Sequence, residues 1–170
     1  MTLADDLADA VCGGALEQAA ALLQAGADAR AHTRRHPELW SVYFDSDAPL
    51  LHLAALRGNA AMVKLLLEHG APLDERPSQE RSYQTHDDTY EVPGWSALML
   101  AASYGFLDVA RVLVAAGADL DATDASHDSA LKMASRASRR RSLPAGSQHA
   151  AVAALLRGAK KAKKARQRSR

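Results

Sequence analysis

Apolar and polar positions along this chain recur with a fixed internal spacing. Leu7, Leu51 and Leu98 are each followed three positions later by an alanine, Ala10, Ala54 and Ala101, and four positions after that by a glycine, Gly14, Gly58 and Gly105. Twelve positions further stands a second glycine, Gly26, Gly70 and Gly117, preceded by the apolar pairs Leu22-Leu23, Leu66-Leu67 and Leu113-Val114. Leu and Ala three apart place one apolar stripe on a short helix. The first glycine permits a tight turn, and a second apolar helix such as Met62 to Leu67 follows. Gly70 and Gly117 suit the left-handed position just past a helix end, where a side chain is strained. The unit is therefore a helix hairpin, with alanine in its first helix to let neighbours approach. One hairpin cannot bury its own apolar face, so the pattern predicts an all-α solenoid of stacked hairpins.

At these residues the chain resembles the ankyrin repeat family. The last five positions of Pro49-Leu50-Leu51-His52-Leu53-Ala54-Ala55 match the family's Thr-Pro-Leu-His-x-Ala-Ala opening, and Ser96-Ala97-Leu98-Met99-Leu100-Ala101-Ala102 follows it more loosely. Ser129-Ala130-Leu131-Lys132-Met133-Ala134 opens a fourth unit, whose second helix is expected over Ser147 to Arg157 after a segment rich in Arg and Ser. The resemblance covers Leu3 to about Gly158. It implies units near residues 3–30, 48–75, 95–122 and 128–158 within a repeat domain over 1–158, followed by a basic tail over 159–170. The first unit lacks the family opening and the fourth is interrupted, as capping units commonly are.

Two connectors between units are enlarged. Gly117 to Leu131 spans fourteen positions, the family's usual interval, but Gly26 to Leu51 spans twenty-five and Gly70 to Leu98 twenty-eight. In the family this connector is a β-hairpin finger projecting toward a concave binding side. Insertions at 31–47 and 76–94 are thus expected to lengthen fingers and leave the helices intact. Six of the eight aromatics sit in these connectors: Trp40, Tyr43, Phe44, Tyr83, Tyr90 and Trp95. Leu39 to Phe44 has strand composition, and Tyr83 to Val92 alternates imperfectly. Acids are interleaved with them.

Tyr and Trp beside charges form the composition of a protein-binding hot spot, and carboxylates select a basic partner and speed encounter. The partner-binding candidates are Trp40, Tyr43, Phe44, Asp45, Asp47, Asp87, Asp88, Tyr90, Glu91 and Trp95 on the fingers. Leu56, Arg57, Ser103 and Tyr104 join them, at the variable first-helix places that family geometry puts on the concave face. The competing readings are structural. Tyr43 and Phe44 would also serve as the small cluster a long hairpin needs, and the four first-helix positions as ordinary solvated surface.

Composition agrees with one domain: 170 residues, 48% hydrophobic, can bury a core. Only 5% of the residues are aromatic, so that core must be mainly Ala, Leu and Val. No apolar run is long enough for a bilayer, and the first ten residues carry three aspartates where a secretory signal wants positive charge, which gives the cytoplasm as the expected location. Cys12 is the one cysteine and excludes an internal disulfide; with no cationic neighbour to activate it, it reads as an inert small residue.

A net charge of +1 conceals a division. Residues from Lys132 onward hold thirteen Lys or Arg and no acid, leaving −12 on the preceding body. Such a body attracts a basic protein. Lys160, Lys161, Lys163, Lys164, Arg166, Arg168 and Arg170 instead offer an alternative, association with nucleic acid through phosphate neutralisation without sequence preference. The plain reading of that end is solvated and partly disordered; it also has the pattern to continue the last helix as a charged stripe, or to fold over the acidic body.

Catalytic and metal signatures are wanting. His32 and His36 have helical ligand spacing, but Arg34, Arg35 and Pro37 oppose both helix and cation. His52 matches the motif histidine of the family, whose work is to tie neighbouring units by hydrogen bonding. His69, just before Gly70, favours a helix C-terminus when charged. No phosphate loop or nucleophile elbow occurs, and Asp87-Asp88 are merely adjacent in a loop. The expectation is a non-enzyme with no cofactor, metal or small-molecule substrate, monomeric when free, that binds a basic protein through its concave face and fingers. The Ala-rich composition suggests a bacterial source, and bacterial ankyrin proteins include immunity proteins that neutralise a toxin of the same cell; by that resemblance a basic nuclease toxin is the sharpest partner.

Overall fold

Glycine sets the hairpins. In the computed structural model, which describes residues 2–33, 48–76, 82–84, 89–91, 94–139 and 148–169, all six recurring glycines have φ between 68° and 96°. Each ends a helix in the left-handed region. Three hairpins result: α1 (Leu3–Gly13) with α2 (Leu16–Gln24), α3 (Leu50–Leu56) with α4 (Ala60–Glu68), and α5 (Ala97–Tyr104) with α6 (Leu107–Ala115); α7 (Ala130–Ala137) packs with α8 (His149–Arg168) as a fourth. Polar side chains cap several helix starts, satisfying otherwise orphaned N–H groups. Thr2 accepts from Asp5 N in a full capping box, Asn59 from Met62 N, Ser96 from Met99 N and Ser129 from Lys132 N.

The hairpins stack in two layers. First helices α1, α3, α5 and α7 pack in one row, and second helices α2, α4, α6 and α8 in another. Leu7, Leu51 and Leu98 with Ala10, Ala54 and Ala101 are all at most 2% exposed, so the spacing that defines the repeat is the spacing of the buried stripe. The core is Ala, Leu, Val and Met, and among the described residues the aromatics Trp95 and Phe106 only pack against its edge. The all-α solenoid expected from the repeat is what forms.

The connectors carry short antiparallel pairs. β1 (His32–Thr33) pairs with β2 (Ala48–Pro49), closing the base of the first finger. β3 (Ser82–Gln84) pairs with β4 (Thr89–Glu91), with Tyr83 opposite Tyr90. The unenlarged third connector has a single bridge between Thr123 and Ser129.

Helix α8 departs from expectation. Instead of running from Ser147 to Arg157, it begins at His149 and continues unbroken to Arg168. It crosses the expected boundary between repeat domain and tail, and the stretch expected to be partly disordered is helical through that residue.

The third hairpin is held by two histidines. His52 of α3 donates from Nε2 to the Trp95 carbonyl at 2.9 Å, as expected of a motif histidine, and His149 of α8 reaches back from Nε2 to the Ser103 carbonyl at 2.8 Å. Burial of His52 pushes its pKa from 6.5 down to about 4, against the opposing pull of the Trp95 carbonyl and with a smaller push from the charge of His32. The unfolded chain therefore binds a proton that the folded chain refuses between those values. Stability is intact above pH 6.5 and lost as pH falls to about 4, by on the order of 3 kcal/mol. The urea midpoint is expected to drop across that window in the wild type and to change much less in His52→Gln, which starts lower at neutral pH; an identical drop in both would assign it elsewhere.

Gly105 and Gly70 differ in their surroundings. A Cβ at Gly105 would meet His149 Nδ1 at 2.8 Å and the Gln148 backbone N at 3.0 Å, whereas nothing lies within 4 Å at Gly70. Gly70→Ala should cost only the left-handed strain, about 1–2 kcal/mol, and Gly105→Ala about 1–3 kcal/mol more through overpacking. Equal midpoints in chemical denaturation would contradict this reading of the close approach.

Candidate protein-recognition site

The first-helix row presents equivalent side chains at its ends. Leu56, half-buried, and Arg57, exposed, close α3; Ser103, half-buried, and Tyr104, 37% exposed, close α5. Because α3 packs on α5, the structure brings these four sequence candidates into one neighbourhood. The Tyr104 ring stacks on Phe106 with centroids 5.8 Å apart and planes at 9°. Stacking fixes the ring while leaving much of it in solvent, the condition that lets an aromatic anchor a partner at little entropic cost.

Trp95 has a structural setting as well. It is half-buried against the core, and its indole Nε1 donates to Asp124 Oδ2 at 3.0 Å. The other oxygen of Asp124 accepts from the backbone N of Ser126 (3.0 Å) and of Asp128 (2.8 Å). One buried carboxylate thus shapes the tip of the third finger, where His127 takes φ 56°, and joins that tip to Trp95. Neither Asp124 nor His149 stood out in the sequence. A contact spanning 29 positions leaves no local pattern.

The finger bases are tied hairpin to hairpin. Arg30 Nε donates to the Gly70 carbonyl (3.4 Å) and His32 Nε2 lies 2.8 Å from Glu75 Oε1. One unit on, Asp74 accepts from Asp119 N (2.9 Å) and Arg76 Nη1 donates to the Thr123 carbonyl (2.8 Å). Beyond the third unit α8 supplies the ties: Lys160 Nζ is 2.9 Å from Asp121 Oδ1 and Lys163 Nζ 3.0 Å from Oδ2. Hydrogen bonds from Lys160 and Lys163 hold the Asp121 carboxyl below its usual range, and Asp121 in turn raises Lys163. Lys132 and Arg136 pair with Asp128 and hold its carboxyl down too, Lys132 foremost.

Other candidates are placed as follows. Tyr90 and Glu91 lie on β4, and Trp40, Tyr43, Phe44, Asp45, Asp47, Asp87 and Asp88 lie outside the described residues. Lys160, Lys161, Lys163, Lys164, Arg166 and Arg168 are on α8; Arg170 is outside the description. Cys12 is buried in α1. Among the described residues no three His, Cys, Asp or Glu come together as a metal would require, and no helix is long and apolar enough to cross a membrane.

Residues 7–124 match the family described as ankyrin repeats, in three copies. The chain is similar to protein phosphatase 1 regulatory subunit 27 of Homo sapiens, 38% identical over 78 residues, which is 46% of this chain and 42% of that protein. The Mus musculus counterpart is 40% identical with the same coverage. Ankyrin repeat and SAM domain-containing protein 6 of Danio rerio is 42% identical over 87 residues, 51% of this chain and 10% of that one. The match thus covers less than half the length of the curated regulatory subunits.

Two outcomes test the geometry. Trp95→Phe keeps a ring but strands Asp124 Oδ2, and should lower stability by about 1–3 kcal/mol; an unchanged denaturation midpoint would deny the bond any role. Lys160→Ala with Lys163→Ala should change global stability little, since exposed ion pairs contribute about 0–1 kcal/mol, yet speed amide exchange along α8 after Gly158. In the wild type that protection should fade as pH drops below the ordinary aspartate range and the Asp121 carboxylate protonates. Protection that ignores both changes would refute the tie.

Proposed function

The chain belongs to the ankyrin-repeat family, and from that premise we propose that it is a non-catalytic recognition module that binds a basic protein through its first-helix row and its two long fingers, in the cytoplasm. The observation that carries this is the surface at the ends of α3 and α5, where Leu56, Arg57, Ser103 and Tyr104 lie as neighbours. Helical stacking fixes that surface before any partner arrives, which limits the ordering cost of association. Tyr104, held by Phe106, is the aromatic anchor, and acids on the fingers select for positive charge. Human and mouse relatives named as regulatory subunits of a phosphatase support recognition over catalysis. A basic toxin neutralised by this chain is the narrower form of the same reading; it rests on charge and composition, and requires that co-expression restore growth to cells making the toxin.

Capture from the native cell by the immobilised full chain tests the site. Leu56→Ala with Tyr104→Ala should reduce retention of the partner at least tenfold while leaving the helical circular dichroism and melting temperature nearly unchanged, because both side chains are partly exposed. Retention that survives this double substitution but disappears when residues 159–170 are removed would move the site to α8.

A further inference from the structure

The last hairpin differs from the inner ones in a systematic way. Where α3 and α5 carry His52 and Met99, both buried, the equivalent position of α7 is Lys132, exposed. Where α4 and α6 carry Leu67 and Val114, packed against the core, the equivalent position of α8 is Arg157, exposed. The face that inner hairpins turn toward a neighbour is cationic in the fourth. Along α8 the pattern continues: Arg157, Lys161, Lys164 and Arg168 recur at spacings of four, three and four, so they share one side of the helix. All four are exposed. Lys160 and Lys163 fall on the side continuous with buried Val152 and Leu156 and are engaged by Asp121. Helix α8 therefore sorts its cations into an inner set that ties and an outer set that faces solvent.

Solubility of an exposed hairpin face requires polarity, but mixed signs would serve it as well. Here Asp128 is already met by Lys132 and Arg136, Asp121 by Lys160 and Lys163, and no acid follows Lys132 in the sequence. We infer that the outer side of α8 is a binding surface for the phosphate backbone of double-stranded nucleic acid, separate from the first-helix row. Four cations spread over twelve residues form a straight stripe of roughly 16 Å. Phosphates follow each strand of a duplex at about 3.4 Å along its axis, so the stripe is long enough to meet one per cation. A protein partner would want an aromatic or apolar anchor at the centre of the contact, and single-stranded nucleic acid would want aromatic platforms for its bases. The stripe has neither. Its chemistry suits a ligand recognised by charge alone, without regard to sequence.

Fluorescence anisotropy of a short labelled DNA duplex with the full chain, across a salt series, tests the inference. Engagement of four phosphates predicts a log–log salt slope of about −3.6, falling by about 1.8 in Lys161→Ala with Lys164→Ala. The control, Lys64→Ala with Arg111→Ala, removes the same charge from exposed positions on α4 and α6 and should leave the slope unchanged; circular dichroism confirms that both variants fold. No binding at low salt, or an equal loss in both variants, overturns the surface. Tighter binding to poly-glutamate, to a single strand of the same sequence, or to phosphatidylserine vesicles than to the duplex overturns the class of ligand.

Discussion

No hairpin in this protein has a core of its own. Each short helix pair has one apolar stripe, and burial of Leu7, Leu51, Leu98 and their alanines to 2% exposure or less is reached only because adjacent hairpins share those stripes. The contribution of any unit is therefore an interface contribution. Everything placed at the joints follows from that: alanines that let helices close up, a histidine sent forward from α3 and another sent back from α8 to the same third unit, and a glycine at 105 whose missing side chain leaves room for the start of α8.

The finger bases solve a second problem, the rotation of one unit against the next. Apolar stripes resist separation but tolerate sliding, since dispersion contacts are not directional. Bonds such as Arg76 to the Thr123 carbonyl and Asp74 to Asp119 N are directional, and they lie off the helical layers where leverage against rotation is greater. Beyond the third unit, Lys160 and Lys163 of α8 take the corresponding place by pairing with Asp121. Much of the formal charge is thus engaged inside the array. The body's −12 overstates the acidity available to a partner, because Glu75, Asp121, Asp124 and Asp128 answer to residues of the same chain.

What could be read in the sequence was whatever the backbone demands at regular intervals. A left-handed turn admits few residues besides glycine, so Gly14, Gly58 and Gly105 announce their hairpins, and a buried stripe must recur at helical spacing, so Leu51 and Ala54 announce theirs. The placement of Leu56, Arg57, Ser103 and Tyr104 at the ends of the first helices was legible for the same reason, as irregular positions within a regular frame. Pairings between distant positions were not. Trp95 could be picked out as an exception to an aromatic-poor chain, but its bond to Asp124 depends on how two fingers stand side by side. The end of α8 follows the helical continuation that its Lys and Ala pattern allows, but Lys160 and Lys163 look, in one dimension, identical to Lys161 and Lys164; only the packing of the helix separates the cations that tie from those that face water.

That separation bears on how a repeat array acquires more than one function. The end positions of the first helices can change at little cost to the stack, since Leu56 and Tyr104 are only partly buried. Inner second helices have less freedom, because Leu67 and Val114 still contribute to the core. On the outer side of the fourth hairpin an exposed Arg157 stands at the position that is leucine or valine in the inner units. A solenoid therefore has two kinds of surface open to specialisation, the flank that runs along every unit and the outer face of the fourth hairpin, where Arg157, Lys161, Lys164 and Arg168 are exposed. Charge on the second can be single-signed because the ties at Asp119 and Asp121 hold α8 in place from its other side, so that repulsion among the outer cations is resisted by bonds already made.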